Sequence, residues 1–504
     1  MRNVCFRVRN VRGGLFVALL AATASAVAAP RPDFLFIMPD QMRGDCLSVL
    51  NHRTVRTPTM DALANSGVLF RHAYTEVPSC VPARFILHTG LSPSASGIVG
   101  FAARTIKEPT FPGLLREAGY ETYMIGRYQH QDNTPDLGYT HEVRGTTYIN
   151  TDAYADFFRS VVPTAKSPEQ WYNSNGWNVN LWPAKAWSLD DAWHPTHWVV
   201  EQSLKVVEEA PEDKPLFLMS SYLAPHPPLF PTKEHWDNVM ARNKPEAGIG
   251  DWVDWDSAPE DHRKCGARHR FDQEQLAKTQ AGYFGLIEHL DAEIARLIHA
   301  FTTRCDRVGR PWVIILTTDH GEMLGDHHYF RKCEPYEGSA HIPYIITGSS
   351  QMGFKAGLQA TPVVGLQDLM PTILALADVP CPDVTGINLV PTLQGKEQKV
   401  RDWLHFEHAT CYSTNQAFHA MTDGHFKYIW RSATGQEQLF NLDADPTECR
   451  DLAAVPAEAE RLALWRNRLI EALTPRHEGF IKDGKLQTGK YPIGTRPLPF
   501  KKDT

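Results

Sequence analysis

Four short apolar runs along the chain lead into polar or charged residues. Phe34–Met38 runs into Asp40, Thr122–Ile125 into Gly126-Arg127, Leu216–Met219 toward His226, and Trp312–Leu316 into Asp319-His320. Continuous apolar runs of this length predict strands covered on both faces, as in parallel sheets. Helical patterns lie between them. Thr59–Ser66 and Phe111–Ala118 are short; Gln275–Phe301 is long, with Tyr283, Leu286, Ile287, Leu290, Ile294, Leu297 and Ile298 on one face. Strands alternating with helices predict an α/β protein with a large, mostly parallel sheet flanked by helices. Ligands of such sheets bind beyond the carboxyl ends of the strands. Asp40, Arg127, His226 and Asp319 all follow strand ends and are placed to converge there.

The texture of the chain suggests its divisions. Residues 1–28 join a basic start (Arg2, Arg7, Arg9, Arg12) to the apolar run Leu15–Ala22 and the small-residue site Ala26-Val27-Ala28. That pattern predicts a secretory signal peptide and a periplasmic or secreted protein. No later run approaches the about 20 apolar residues of a membrane span. Residues 29–384 read as a catalytic domain, with irregular aromatic-rich insertions at about 131–275 that hold nine of the thirteen tryptophans. Residues 385–504 read as a smaller C-terminal α+β subdomain. Its strands are predicted at Leu404–Glu407, Phe426–Trp430 and Gln438–Leu442, and a helix at Ala457–Leu473.

Composition narrows the function. With 42% hydrophobic and 22% charged residues the chain is an ordinary globular one. A formal charge of −7, made more negative by loss of the arginine-rich leader, disfavours nucleic acid as a partner. An anionic substrate would need positive charge gathered locally. Of nine cysteines, Cys5 lies in the leader and the other eight are scattered without zinc-site spacing. An exported chain can form disulfides, but the spacing leaves their pairing open.

The chemistry-bearing residues fall into three groups. Ser79-Cys80-Val81-Pro82-Ala83-Arg84 is followed by Thr89-Gly90. A cysteine that opens a helix meets the positive end of the helix dipole. An arginine four residues on lies on the same face, one turn along, and Pro82 fits the first turn. Asp40-Gln41 and Asp319-His320 form two pairs after strands. Together with residue 80 they suit a hard divalent cation, although either aspartate alone reads equally well as a helix cap. The basic pair Arg331-Lys332, His226 in a proline-rich turn, and His327-His328 supply positive and titratable groups.

Together these residues resemble the formylglycine-dependent sulfatases of the alkaline-phosphatase-like superfamily. The signature C-x-P-x-R with its later T-G is present at Cys80–Gly90. The stretch from His320 to Lys332 resembles iduronate-sulfatase-like members in its spacing. The likeness extends to Thr57-Pro58, Asp291, Leu366–Leu374, Lys427–Ile429 and Leu439–Pro446. It implies an alkaline-phosphatase-like sandwich with a C-terminal subdomain, and hydrolysis of a sulfate ester. A maturation enzyme would oxidise Cys80 to formylglycine, whose hydrate attacks sulfur. Asp40, Gln41, Asp319 and His320, with residue 80, would hold calcium or magnesium. Arg84 would stabilise the ionised diol. Lys332 would bind the substrate sulfate, with Arg331 as its competitor, and His226 would bind sulfate and protonate the leaving alcohol.

The family's G-K-x-H or G-K-x-x-H is replaced here by Gly126-Arg127-Tyr128-Gln129-His130. Arg127 keeps the lysine's charge but changes its geometry. His130 fits the longer spacing as the base that releases sulfate; Gln129 holds the shorter one and has no usable pKa. His327 and His328 read either as substrate contacts or as a polar loop at the site mouth. A sulfated carbohydrate is the substrate expected. Trp171, Trp177, Trp182 and Trp187 either cup its rings or pack the insertion. Two other readings stay open: a phosphodiesterase or phosphonate monoester hydrolase on the same fold, and a non-catalytic sugar-binding relative. Intact Cys80, Arg84, Asp319 and Lys332 argue against the last.

Overall fold

The computed structural model describes residues 30–101, 106–128, 137–145, 151–177, 180–254, 268–396, 399–412 and 414–489. The leader and both Gln129 and His130 therefore lie outside the described residues. An eight-stranded sheet forms the centre, in the order β4-β3-β5-β1-β6-β7-β2-β8. Its strands are β1 (Asp33–Asp40), β2 (Val68–Tyr74), β3 (Glu121–Gly126), β4 (His141–Arg144), β5 (Leu216–Pro225), β6 (Trp312–Thr317), β7 (Tyr344–Gly348) and β8 (Leu358–Gly365). All run parallel except β7, which is antiparallel to both β6 and β2.

The central strands are buried along their whole length, which is why they read as unbroken apolar runs. Alternate side chains leave a strand on opposite faces. Leu35, Ile37, Leu218 and Leu316 pack on one side with Val199 of helix Pro195–Glu209 and Leu290 and Ile294 of helix Gln273–Val308. Phe34, Phe36, Phe217, Met219 and Ile315 pack on the other with Ile86 of helix Cys80–Thr89 and Ile373 of helix Leu369–Leu376. The result is a helix–sheet–helix sandwich. The longest helix exceeds its predicted span at both ends. Asp272 and Gln275 form a capping box at its start, and Gly309 closes it in the left-handed conformation.

A second sheet is antiparallel, in the order β12-β11-β10-β9. It contains β9 (Leu404–His408), β10 (Phe418–Thr422), β11 (Phe426–Arg431) and β12 (Glu437–Asn441); β10 was not predicted. One face packs on Trp465, Leu469 and Leu473 of helix Ala459–Leu473. The other packs Phe406, Phe418 and Ile429 against Tyr74 of β2 and against Met323 and Tyr336 of the loop after β6. The small sheet thus braces the loop that carries Lys332.

Of the four tryptophans that read as either sugar contacts or packing, Trp177 and Trp187 belong to the core. Trp177 and Trp187 are buried, and with Trp171 they pack among Phe158, Tyr172 and Phe230. Trp182 stacks on His269, with ring centroids 4.6 Å apart. Among the described residues no helix is long and apolar enough to cross a membrane.

Candidate active site

Helix Cys80–Thr89 begins at Cys80, after Ser79 in extended backbone. Ser79 does not cap the helix with its side chain. Its hydroxyl donates instead to His408 Nε2 at 2.8 Å, because His408 Nδ1 is engaged with the Ala409 carbonyl. The cysteine sits at the positive end of the helix and is 1% exposed.

The ends of β1 and β6 meet it there. Asp40, Cys80, Asp319 and His320 each offer a ligand atom, all within 4.8 Å of one another, and all four residues are buried. Arg84, one turn along, holds the carboxylates together. Its Nε donates to Asp319 Oδ2 and a terminal nitrogen to Asp40 Oδ2, both at 3.0 Å. Arg127 Nε adds a bond to the same Asp40 oxygen. Asp40 Oδ1 is buried and, among the described residues, has no hydrogen-bond partner. An unsatisfied anionic oxygen beside a thiol and an imidazole fits a divalent cation held by Asp40, Asp319, His320 and residue 80.

Gln41 lies in the left-handed region, with φ of 68°, uncommon for a non-glycine residue. This turn lets its backbone N–H donate to Asp319 Oδ1 at 3.1 Å. Its side-chain oxygen accepts from Lys332 Nζ at 2.6 Å, and its amide nitrogen donates to Glu322. The predicted metal residue thus spends its side chain on the lysine and on Glu322.

Lys332 Nζ also donates to His226 Nε2 at 3.0 Å. His226 Nδ1 donates to the Pro227 carbonyl at 2.6 Å, which leaves Nε2 as the acceptor. Arg331 is spent elsewhere. Its Nε donates to the Asn180 carbonyl at 2.7 Å and its guanidinium lies over the Tyr412 ring. Of the basic pair, Lys332 is the residue brought to the site.

The field favours negative charge at residue 80. Burial works against an anion there, but Lys332 and His320 bring the Cys80 thiol below its ordinary value. Burial would likewise raise Asp40, yet Arg127, with Arg84 and His320, holds it well below the usual carboxylate range. His226 goes the other way: burial, then Lys332 and Arg127, keep its ring neutral.

His327 and His328 are both buried, and both have positive φ. His327 Nδ1 accepts from the Gly250 N–H at 3.2 Å, and its ring packs on Trp252 and Tyr336. These contacts face the C-terminal sheet. The His328 carbonyl accepts from the His269 N–H at 2.8 Å. Burial lowers both rings to about 4.

Three groups at the site were not foreseen. Glu322 accepts from the backbone N–H groups of Leu324 and Arg331 and from Gln41, so it shapes the loop that ends in Lys332. It stands two residues after His320, inside the stretch already singled out. Ser221 bonds both Arg84 and the Arg127 carbonyl. His408 reaches Ser79 from 329 residues away, and neither it nor Ser221 carries a sequence signal.

A mostly parallel sandwich with paired aspartates after strand ends, a helix-opening residue and a loop lysine has the alkaline-phosphatase-like fold. The chain belongs to the sulfatase family. The Sulfatase family model matches residues 32–379, and a second, N-sulphoglucosamine sulphohydrolase, C-terminal, matches residues 325–474. The chain is 33% identical to an arylsulfatase of Clostridium perfringens, over 92% of this chain and 99% of that one. It is 29% identical to a choline-sulfatase of Rhizobium meliloti, over 84% and 83%. In fold it is similar to the phosphonate monoester hydrolase of Agrobacterium radiobacter, with a TM-score of 0.72 at 23% identity, covering 88% of this chain and 96% of that one. The protein is a sulfuric ester hydrolase.

Proposed function

We propose that the protein is an exported sulfatase acting on a sulfated carbohydrate through a formylglycine made from Cys80. The observation that carries this reading is the buried junction at residue 80. Asp40, Asp319 and His320 lie on one side of it, and Lys332, bonded to His226, completes the positive field around it. The first group would hold calcium or magnesium, with Gln41 flanking it. Such a cation supplies Lewis-acid stabilisation of the anion at residue 80 and of a sulfate oxygen.

The chain's own residues do the rest. Arg84 fixes both carboxylates and, from one turn along the helix, favours an ionised oxygen at residue 80. Lys332 binds the sulfate. One oxygen of the formylglycine hydrate attacks sulfur, and the alcohol leaves with a proton. The Lys332–His226 pair holds that proton, with Nζ donating to a neutral imidazole. The remaining diol hydroxyl then loses a proton to His130, the bond from carbon to the sulfate oxygen breaks, and the aldehyde returns. Gln129 cannot serve as that base. Arg127 stands in the place of the family's lysine and positions Asp40.

The 33% identity to an arylsulfatase supports sulfate over the phosphonate reading that the fold alone allows. The C-terminal family model, named for a sulphoglucosamine sulphohydrolase, supports a sulfated sugar. The leader supports export with removal of residues 1–28, from a chain whose body is a catalytic domain to about residue 384 and a C-terminal subdomain beyond it. The deciding experiment is the mass of the Cys80 peptide together with turnover of nitrophenyl sulfate and phenyl phosphonate. A peptide lighter than the thiol form, and preference for sulfate, are expected. Fully active enzyme holding only the plain thiol would refute the formylglycine route.

A further inference from the structure

Two buried cysteines meet beside the site. Cys333 directly follows Lys332, and Cys411 follows β9; they are 1% and 4% exposed. Their sulfurs lie 2.9 Å apart across 78 residues of sequence. That is within about 1 Å of a covalent S–S bond. Packing on both sides of Cys333 holds the sulfurs there. The Arg331 guanidinium lies over the Tyr412 ring, with 5.4 Å from its carbon to the centroid. Glu334 accepts from Gln416 Nε2 at 2.5 Å and from Arg431 at 2.8 Å. The Cys333 N–H donates to the Pro78 carbonyl at 2.9 Å, two residues before Cys80. The nucleophile helix, the Lys332 loop and the segment after β9 therefore join at one point.

We propose that Cys333 and Cys411 are joined by a disulfide in the mature protein, and that this bond holds Lys332 in position. Formation needs a disulfide-bearing oxidant, either a thiol oxidase of the export compartment or oxidised glutathione. The thiolate of one cysteine attacks the oxidant's disulfide to give a mixed disulfide, and the second cysteine then displaces the carrier sulfur. Two electrons and two protons leave the chain, the Cys333–Cys411 bond forms, and the oxidant ends as two thiols. Burial, then the neighbouring Cys411 sulfur, keeps the folded Cys333 thiol well above its ordinary value. The exchange therefore belongs to the folding chain, before this junction packs.

The cross-link is read by mass and does not depend on the assigned reaction; only its effect on Lys332 rests on the proposed sulfate-binding role. Full-length protein is exported into an oxidising compartment, purified, denatured without reductant, alkylated and digested. The expected result is a peptide pair holding Cys333 and Cys411 that separates on reduction, with Cys46 and Cys305 alkylated as thiols. Alkylation of both Cys333 and Cys411, or either one joined to another cysteine, overturns the proposal. In Cys411→Ser we expect Tm to fall by about 5 °C and KM for nitrophenyl sulfate to rise several-fold, with kcat changed less. An exposed control, Cys381→Ser, changes neither. A lower Tm with unchanged KM overturns the positioning role. Wild-type protein refolded with and without a glutathione redox buffer makes the same comparison without a substitution.

Discussion

The two ends of β1 each carry a buried aspartate beside arginines, and they differ in what is left over. At the amino end, Asp33 is closed. Its Oδ1 accepts from the Leu216 N–H at 2.8 Å and faces Arg310, and its Oδ2 pairs with Arg304 at 2.7 Å. At the carboxyl end, Asp40 gives one oxygen to Arg84 and Arg127, and among the described residues Oδ1 has no hydrogen bond. Their acidities diverge accordingly. Burial raises Asp33 despite the Leu216 N–H, Arg304 and Arg310, whereas at Asp40 the surrounding cations outweigh burial and lower it well. A buried charge with every partner in place serves the fold; one with an oxygen to spare serves a ligand.

The strongest test of that difference is at residue 80. Cys80→Ala is expected to remove turnover by roughly four orders of magnitude or more while Tm stays within about 1 °C. Asp40→Asn should come next, abolishing metal-dependent activity and costing stability as well, because it takes the shared anion from the buried Arg84 and Arg127. Asp33→Asn should cost stability alone. It strips a buried ion cluster of its anion, so a cost of about 3 kcal/mol or more is expected in denaturant unfolding, with kcat unchanged in the folded fraction. If the two asparagine variants behaved alike, the contrast between the strand ends would be wrong.

Smaller effects sharpen it. Lys332→Gln removes the cation that faces residue 80 and His226, and kcat/KM for an aryl sulfate should drop about 10²- to 10³-fold. Glu322→Gln keeps the shape but weakens the grip on the Leu324 and Arg331 N–H groups, and an about tenfold loss is expected, mostly in KM. The smallest effect is on the pH profile of stability in metal-stripped protein. A lowered Asp40 contributes stability above the ordinary carboxylate pKa and loses it as pH falls toward its own. A raised Asp33 contributes stability at low pH and loses it as pH rises past the ordinary carboxylate value. Removing Asp40 should therefore flatten the acid limb, and removing Asp33 should leave that limb while lifting the decline above it.

What could be read in advance follows from burial. β1, β5 and β6 are covered on both faces and announce themselves as apolar runs. β2 does not, because Arg71 and His72 interrupt it at part-exposed positions. Cys80, Asp40, Asp319 and Lys332 stood out because each lies in a compact local pattern, and the fold brings them together. The contacts that tune them did not stand out, because Gln41–Glu322 spans 281 residues and Ser79–His408 spans 329. Nor does aromatic content say which way a ring points. Trp177 and Trp187 would look the same in sequence had they lined a sugar site.

The Ser79–His408 bond also bears on biogenesis. Ser79 and Cys80 leave the ribosome hundreds of residues before their partner does. Until β9 arrives, the start of helix Cys80–Thr89 lacks the residue that engages Ser79, and the loop carrying Lys332 lacks the small sheet behind it. Any enzyme that chemically alters Cys80 has that interval in which to reach it, and once the last hundred residues have packed the opportunity closes. If Cys80 is converted by a maturation enzyme, packing of the C-terminal sheet sets the end of that interval.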